Sequence, residues 1–252
     1  MYTEIALLVL LYMTLVFILA LIAKDNSIAD IFWGPGFILV AIYSLIQDTG
    51  PDLRKYIVTF LVALWGIRLA VHVFLRNRGK GEDFRYRNWR ETWKFFVLRS
   101  YFQIFLLQGF IMYIIAFPVF YINFYSNEPL GFWDTLGLVV YGTGFFIESV
   151  ADYQLVNFKK DPANKGKLMQ TGLWEISRHP NYFGESLIWW GISIYALSLP
   201  HGWMTMLSPV IVTLLLRYIS GVPMLEKKYE GRPGWDEYKS RTAPFIPYVK
   251  FF

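Results

Sequence analysis

The sequence has no cysteine and only three histidines, His72, His179 and His201, in 252 residues. Without cysteine there can be no thiolate nucleophile, iron–sulfur cluster, Cys-based zinc site or prenyl anchor. Three scattered histidines do not suggest a metal centre, and none is expected. Charge is also scarce, at 17% of residues against about 25% in an average soluble domain. There is no P-loop, no HExxH and no GxSxG. The glycine pairs Gly34/Gly36, Gly79/Gly81 and Gly142/Gly144 each lack a third glycine at the dinucleotide-fold offset. None follows a strand pattern, so a Rossmann domain is not expected. Low-complexity tracts and internal repeats are absent as well. What is abundant is apolar surface: 55% hydrophobic residues, including 10 Trp, 17 Tyr and 22 Phe. That composition excludes a disordered chain.

The apolar residues fall in long runs. A membrane span needs about 20 mostly apolar residues. Seven stretches qualify by eye: 5–23, 31–47, 56–75, 103–125, 132–156, 186–199 and 203–220. The first has no basic region before it and no Ala-x-Ala-like site after it, so it reads as a span rather than a signal peptide. The expectation is an all-α, polytopic membrane helical bundle with seven transmembrane helices, the rival being six with one of the short spans re-entrant. It forms a single integral membrane domain over 1–252, with 1–125 on the substrate side and 126–252 binding the cofactor. Basic residues crowd into segments 76–99, 159–178 and 227–250. In a seven-span topology these share one side, which the positive-inside rule makes cytoplasmic. The N-terminus would then lie outside and the C-terminus in the cytoplasm, and a bacterial inner membrane is the simplest host. The net charge of +5 needs no nucleic acid to explain it.

Polar residues inside spans are costly and mark sites or buried pairs. Arg68 and His72 stand at i and i+4 in the third span, and Glu148 and Asp152 repeat that spacing in the fifth; Arg217 lies near the end of the seventh. Asp161-Pro162 and Asn164-Lys165-Gly166-Lys167 form a cationic turn region. Ser177-Arg178-His179-Pro180-Asn181-Tyr182-Phe183-Gly184-Glu185 follows and runs into the sixth span. Arg, His, Asn and Tyr gathered at a helix start suit an anionic, hydrogen-bonding ligand such as a nucleotide phosphate.

Taken together, the run SRHPNYFGE, the WWG that follows and the PMLE tail resemble the steroid 5α-reductase-like family, in particular its bacterial DUF1295 members. ADIFWGPGF (29–37), WGIRLAVH (65–72) and EDFRY (82–86) agree. Sterol reductases carry a related RHPNYFG run, as do S-adenosylmethionine-dependent isoprenylcysteine and phospholipid methyltransferases.

The resemblance implies a membrane reductase that holds NADPH among its helices and takes a lipid-like or steroid enone from the bilayer, with membrane lipids and no nucleic acid as partners, as a monomer. Asn181 and Glu185 match family residues at the nicotinamide end, and Asp152 matches one on the adenine side. Lys159 and Lys167 fall where phosphates are bound. Arg68, Arg217 and His72 align with further cofactor contacts. Arg78, Asp83, Arg85, Asn164, Lys165, Arg178, His179 and Tyr182 complete the expected cofactor set. The steroid enzymes grip the 3-keto group with a Glu in span 2 and a Tyr in span 3; the nearest positions here are Asp30 and Trp65. The expected catalytic residues are Asp30, Tyr86, Tyr182 and Glu185. Two rival readings are methyl transfer from S-adenosylmethionine and a non-enzymatic membrane binder or transporter.

Overall fold

The computed structural model describes residues 1–47, 50, 52–127 and 129–248. Lys250, counted above in the basic tail, lies outside them. The regular secondary structure of the described residues is helical, apart from an isolated parallel bridge between Ser177 and Ala243. The chain divides into two compact units, Met1–Pro129 and Leu130–Phe252.

In the N-terminal unit, α1 (Tyr2–Ala23) buries one stripe, Ile5, Val9, Met13, Val16 and Ala20, at helical spacing. The rest of its surface is also apolar, with Leu11, Leu15 and Ile22 all exposed. A helix apolar all round, with only one face packed on protein, is suited to lipid on the others. It stops at Lys24, whose left-handed backbone (φ 54°) turns its N–H back to the carbonyls of Ala20 and Leu21. α2 (Ile28–Gln47) and α3 (Leu53–Asn77) pack where Gly34 meets Gly66 backbone to backbone. Asp52 caps α3 by accepting the Arg54 N–H at 2.7 Å. A short helix, α4 (Phe84–Thr92), crosses the basic segment. α5 (Phe96–Ser100) then widens into a π-helical stretch (Tyr101–Leu106) and continues as α6 (Leu107–Ile115). Pro118 sits in the first turn of α7 (Phe117–Tyr125), where the chain breaks between two helices.

In the C-terminal unit, α8 (Phe132–Lys160) packs against α10 (Pro180–Tyr195). Two glycine pairs set the approach, Gly137 with Gly191 and Gly144 with Gly184; a Cβ on any of the four would meet facing backbone within 2.7 Å. The short α9 (Leu173–Ile176) precedes α10. α11 (Leu207–Leu214) runs into a π-helical end (Leu215–Ile219), followed by α12 (Val222–Tyr229) and α13 (Trp235–Arg241).

Among the described residues, five helical stretches are long and apolar enough to cross a membrane: Tyr2–Ala23, Ile28–Gln47, Leu53–Asn77, Phe96–Ile115 and Gly202–Tyr229. Such helices are compatible with an integral membrane protein. Of the seven expected spans, those over α8 and α10 fall outside these five. α10 has 16 residues, about 24 Å at 1.5 Å per residue, less than the roughly 30 Å hydrocarbon layer. α8 is long enough at 29 residues, but Glu148 and Asp152 interrupt its apolar run.

Candidate functional site

The N-terminal unit assembles a carboxylate–phenol–guanidinium cluster. Asp30, in the first turn of α2, accepts the Tyr86 hydroxyl at 2.6 Å on Oδ1 and an Arg85 Nη2–H at 2.6 Å on Oδ2. Tyr86 and Arg85 come from α4, which Asp83 caps by accepting the Arg85 backbone N–H at 3.0 Å and its Nε–H at 2.9 Å. Tyr86 is 2% exposed. Burial and then the charge of Asp30 push its phenol well above the ordinary range, so it stays a donor at neutral pH. Burial works against the Asp83 carboxylate, but the bonds from Arg85 outweigh it and hold its pKa below the ordinary value.

A second tie fixes the same helix. Arg90 grips both Glu82 oxygens at 2.8 Å, and Glu82 also accepts the Asn26 N–H at 2.9 Å. The segment that carries Tyr86 is therefore fastened both to the first turn of α2 and to the loop before it. The resemblance had offered Trp65 as the position nearest the family's phenol. Trp65 is instead buried edge-on against Phe37, with ring centroids 5.4 Å apart. Arg68 and His72 are half-buried on α3, and Arg78 is exposed beyond its end.

The C-terminal unit contains a cavity of about 430 Å³, within the range of small-molecule sites. Lys159, Asn164, Lys165, Lys167, Arg178 and His179 from the expected set all line it. Trp174, Tyr229, Arg232, Trp235 and Tyr238 also line it and were not foreseen. Their signal was present as the aromatic and basic residues of the tail, but nothing local tied that tail to the 159–179 segment.

Arg178 makes the tie. Its Nε–H bonds Glu226 at 2.7 Å, one Nη1–H bonds the Lys239 carbonyl at 2.8 Å, and the Thr242 carbonyl is a further acceptor. Its backbone N–H bonds the Ala243 carbonyl at 2.8 Å. His179 stacks on Tyr182 at 5.6 Å and lies 3.5 Å from Glu226. Burial lowers the His179 pKa, outweighing the opposing pull of Glu226.

Asn181, at the start of α10, donates to Asp152 Oδ1 at 3.1 Å. Its own Oδ1 is buried and accepts no hydrogen bond. A carboxamide or hydroxyl donor from a ligand would satisfy it. Tyr182 and Glu185 are half-buried on the same helix, as is Arg217 in the π-helical end of α11. The residues thus fit a nucleotide in two respects, cationic side chains around a cavity and an orphaned amide acceptor.

An uncharacterized protein of Schizosaccharomyces pombe is 30% identical over 193 residues, 66% of this chain and 56% of that protein. Steroid 5-alpha-reductase DET2 of Gossypium hirsutum is 37% identical over 75 residues, 29% of each chain. A probable O-methyltransferase, ustE of Ustilaginoidea virens, is 41% identical over 46 residues, 18% of this chain and 16% of its own. The chain therefore spans little more than half of the first relative and under a third of the others. No solved structure matches. The family model described as "Protein of unknown function (DUF1295)" matches residues 16–242, and the chain belongs to this steroid 5α-reductase-like family.

Proposed function

We propose that the protein is an NADPH-dependent membrane reductase of a carbon–carbon double bond conjugated to a ketone in a lipid-like substrate. The observation that carries this reading is the hydrogen-bonded Asp30–Tyr86 pair. A buried phenol that keeps its proton is suited to stabilising the oxyanion of an enone under reduction. The distant likeness to a steroid 5-alpha-reductase agrees with it.

In this reading the ketone oxygen replaces Asp30 as the acceptor of the Tyr86 proton, while Arg85 stays on the carboxylate. NADPH, when bound, supplies the hydride. Hydride addition at the β-carbon would shift the pair of the carbon–carbon double bond toward the carbonyl carbon and the carbonyl pair onto the enolate oxygen under Tyr86, and the α-carbon would then take a proton from water. Asn181 and Glu185 orient the carboxamide end of the nucleotide, with Tyr182 beside them. Lys159 and Lys167 would meet its phosphates, with Asn164 and Lys165 beside them in the cavity lining. Asp152 sits on the adenine side; Arg68, His72, Arg78, Asp83, Arg85, Arg178, His179 and Arg217 complete the set carried over from the family. The basic segments face the cytoplasm, and the protein is a monomer in a bacterial inner membrane.

A second reading, methyl transfer, is favoured by the likeness to a probable O-methyltransferase. The lysines lining the cavity weigh against it, because a sulfonium ligand carries no phosphate. Thermal shifts with NADPH, NADH and S-adenosylmethionine separate the two. The largest stabilisation is expected from NADPH. Stabilisation by S-adenosylmethionine alone would replace the reductase reading with the transferase.

A further inference from the structure

The cations around the C-terminal cavity are unequally engaged. Lys159, Lys160, Lys165, Lys167, Arg178 and Arg232 line it, with Asp161 as the acidic residue of the lining. Asp161 is occupied in capping its own turn, accepting the Ala163 N–H at 2.9 Å. Arg178 is 7% exposed and spends its guanidinium on Glu226 and on carbonyls of the tail, with the Trp235 ring 5.7 Å away. Its charge is matched, and most of its donors are used.

Arg232 differs. It is half-buried, its guanidinium lies over the Tyr229 ring at 4.9 Å, and its backbone N–H bonds the Tyr229 carbonyl at 3.1 Å. Among the described residues it pairs with no carboxylate, and the same holds for Lys165 and Lys167 on the opposite segment. The tail that carries Arg232 is held by the bonds from Arg178, by the Tyr238 hydroxyl on the Trp174 carbonyl, and by the Ser177 hydroxyl on the Phe245 carbonyl at 2.7 Å.

We propose that the C-terminal tail supplies a ligand-binding wall to the cavity, in which Arg232 takes a phosphate group of the nucleotide and Arg178 is a positioning residue that holds the wall in place. This deepens the nucleotide reading above and rests on it. The ligand class is a phosphorylated nucleotide, bridged between Lys165 and Lys167 on one segment and Arg232 on the other. The aromatic ring behind Arg232 limits its rotamers, so less freedom is lost when it closes on an anion.

The test is equilibrium binding of NADPH to the purified full-length protein in detergent, over a range of salt concentrations, together with limited proteolysis of the tail. Arg232→Gln is expected to weaken binding about tenfold and to flatten its salt dependence, because one charge-assisted contact is lost. Arg178→Lys is expected to weaken binding as much but to keep the wild-type salt dependence, with the tail cut faster both with and without NADPH. Binding by Arg232→Gln at wild-type strength would overturn the phosphate role. Arg178→Lys with a flattened salt dependence and a protected tail would make Arg178 a direct ligand contact and overturn the positioning role. Wild-type protein that binds no NADPH at all would overturn the nucleotide reading itself, and this proposal with it.

Discussion

The hydroxyl of Tyr86 donates a 2.6 Å hydrogen bond to Asp30, across 56 residues of sequence. Neither residue stands alone, since Arg85 closes on the other Asp30 oxygen and Asp83 orients Arg85. If Tyr86 is the donor to the enolate, Tyr86→Phe removes the proton and keeps the ring. The expected loss in kcat is about 100- to 1000-fold, with NADPH affinity within about twofold of wild type because only the reacting end is touched. Enone reduction and nucleotide titration of the same preparation check this; an unchanged rate would remove Tyr86 from the chemistry.

The orphaned Oδ1 of Asn181 marks the other half of the reading. Asn181→Ala removes that acceptor and also the bond to Asp152. Glu185→Ala removes the next polar group along the same face of α10. Each is expected to abolish NADPH binding as seen by calorimetry. Unchanged affinity in both variants would reject this placement of the nicotinamide end.

Helix packing in the C-terminal unit gives a stability contrast. A Cβ on Gly184 would meet the backbone nitrogen of Glu148 at 2.5 Å, and one on Gly144 the Gly184 carbonyl at 2.6 Å. Gly144→Val should cost about 1–3 kcal/mol or more by overpacking. Gly142 has nothing within 4 Å, so Gly142→Ala should be neutral or stabilising by up to about 1 kcal/mol. Thermal unfolding in one detergent compares them directly. Equal effects at the two positions would contradict the observed α8–α10 register.

His179 predicts a pH dependence. Burial lowers its pKa in the folded protein below the ordinary 6.5. The unfolded chain then takes up the proton first as pH falls, so the stability held by the neutral form is present above 6.5 and lost below it. Lowering the pH from about 7.5 to about 5.5 should reduce Tm more in wild type than in His179→Gln. Parallel curves would show that His179 titrates alike in both states.

Much of the cavity lining was legible locally. The turn 161–167 and the run 177–185 carry their cations and amides in consecutive positions, and the structure gathers Lys159, Lys165, Lys167 and His179 around one cavity. The glycine seam was not legible: Gly144 packs against Gly184, while Gly142, two residues away, faces open space. Helical rotation separates the two, and only the partner helix shows which of them faces it. Trp65 was the natural substitute for a phenol by position, but Tyr86 on α4 reaches Asp30 instead.

By itself the sequence determined an all-helical membrane protein of this family, because apolar runs and contiguous motifs are local properties that no packing can reverse. Tertiary structure alone decided which phenol meets Asp30, and that Arg178 binds the tail 61 to 64 residues away. It also decided where each helix ends, so that among the described residues five helical stretches are long and apolar enough to cross a membrane. The physical reason is that a hydrogen bond depends on distances in space, and a helix ends where its backbone bonds end, which hydropathy along the chain does not record.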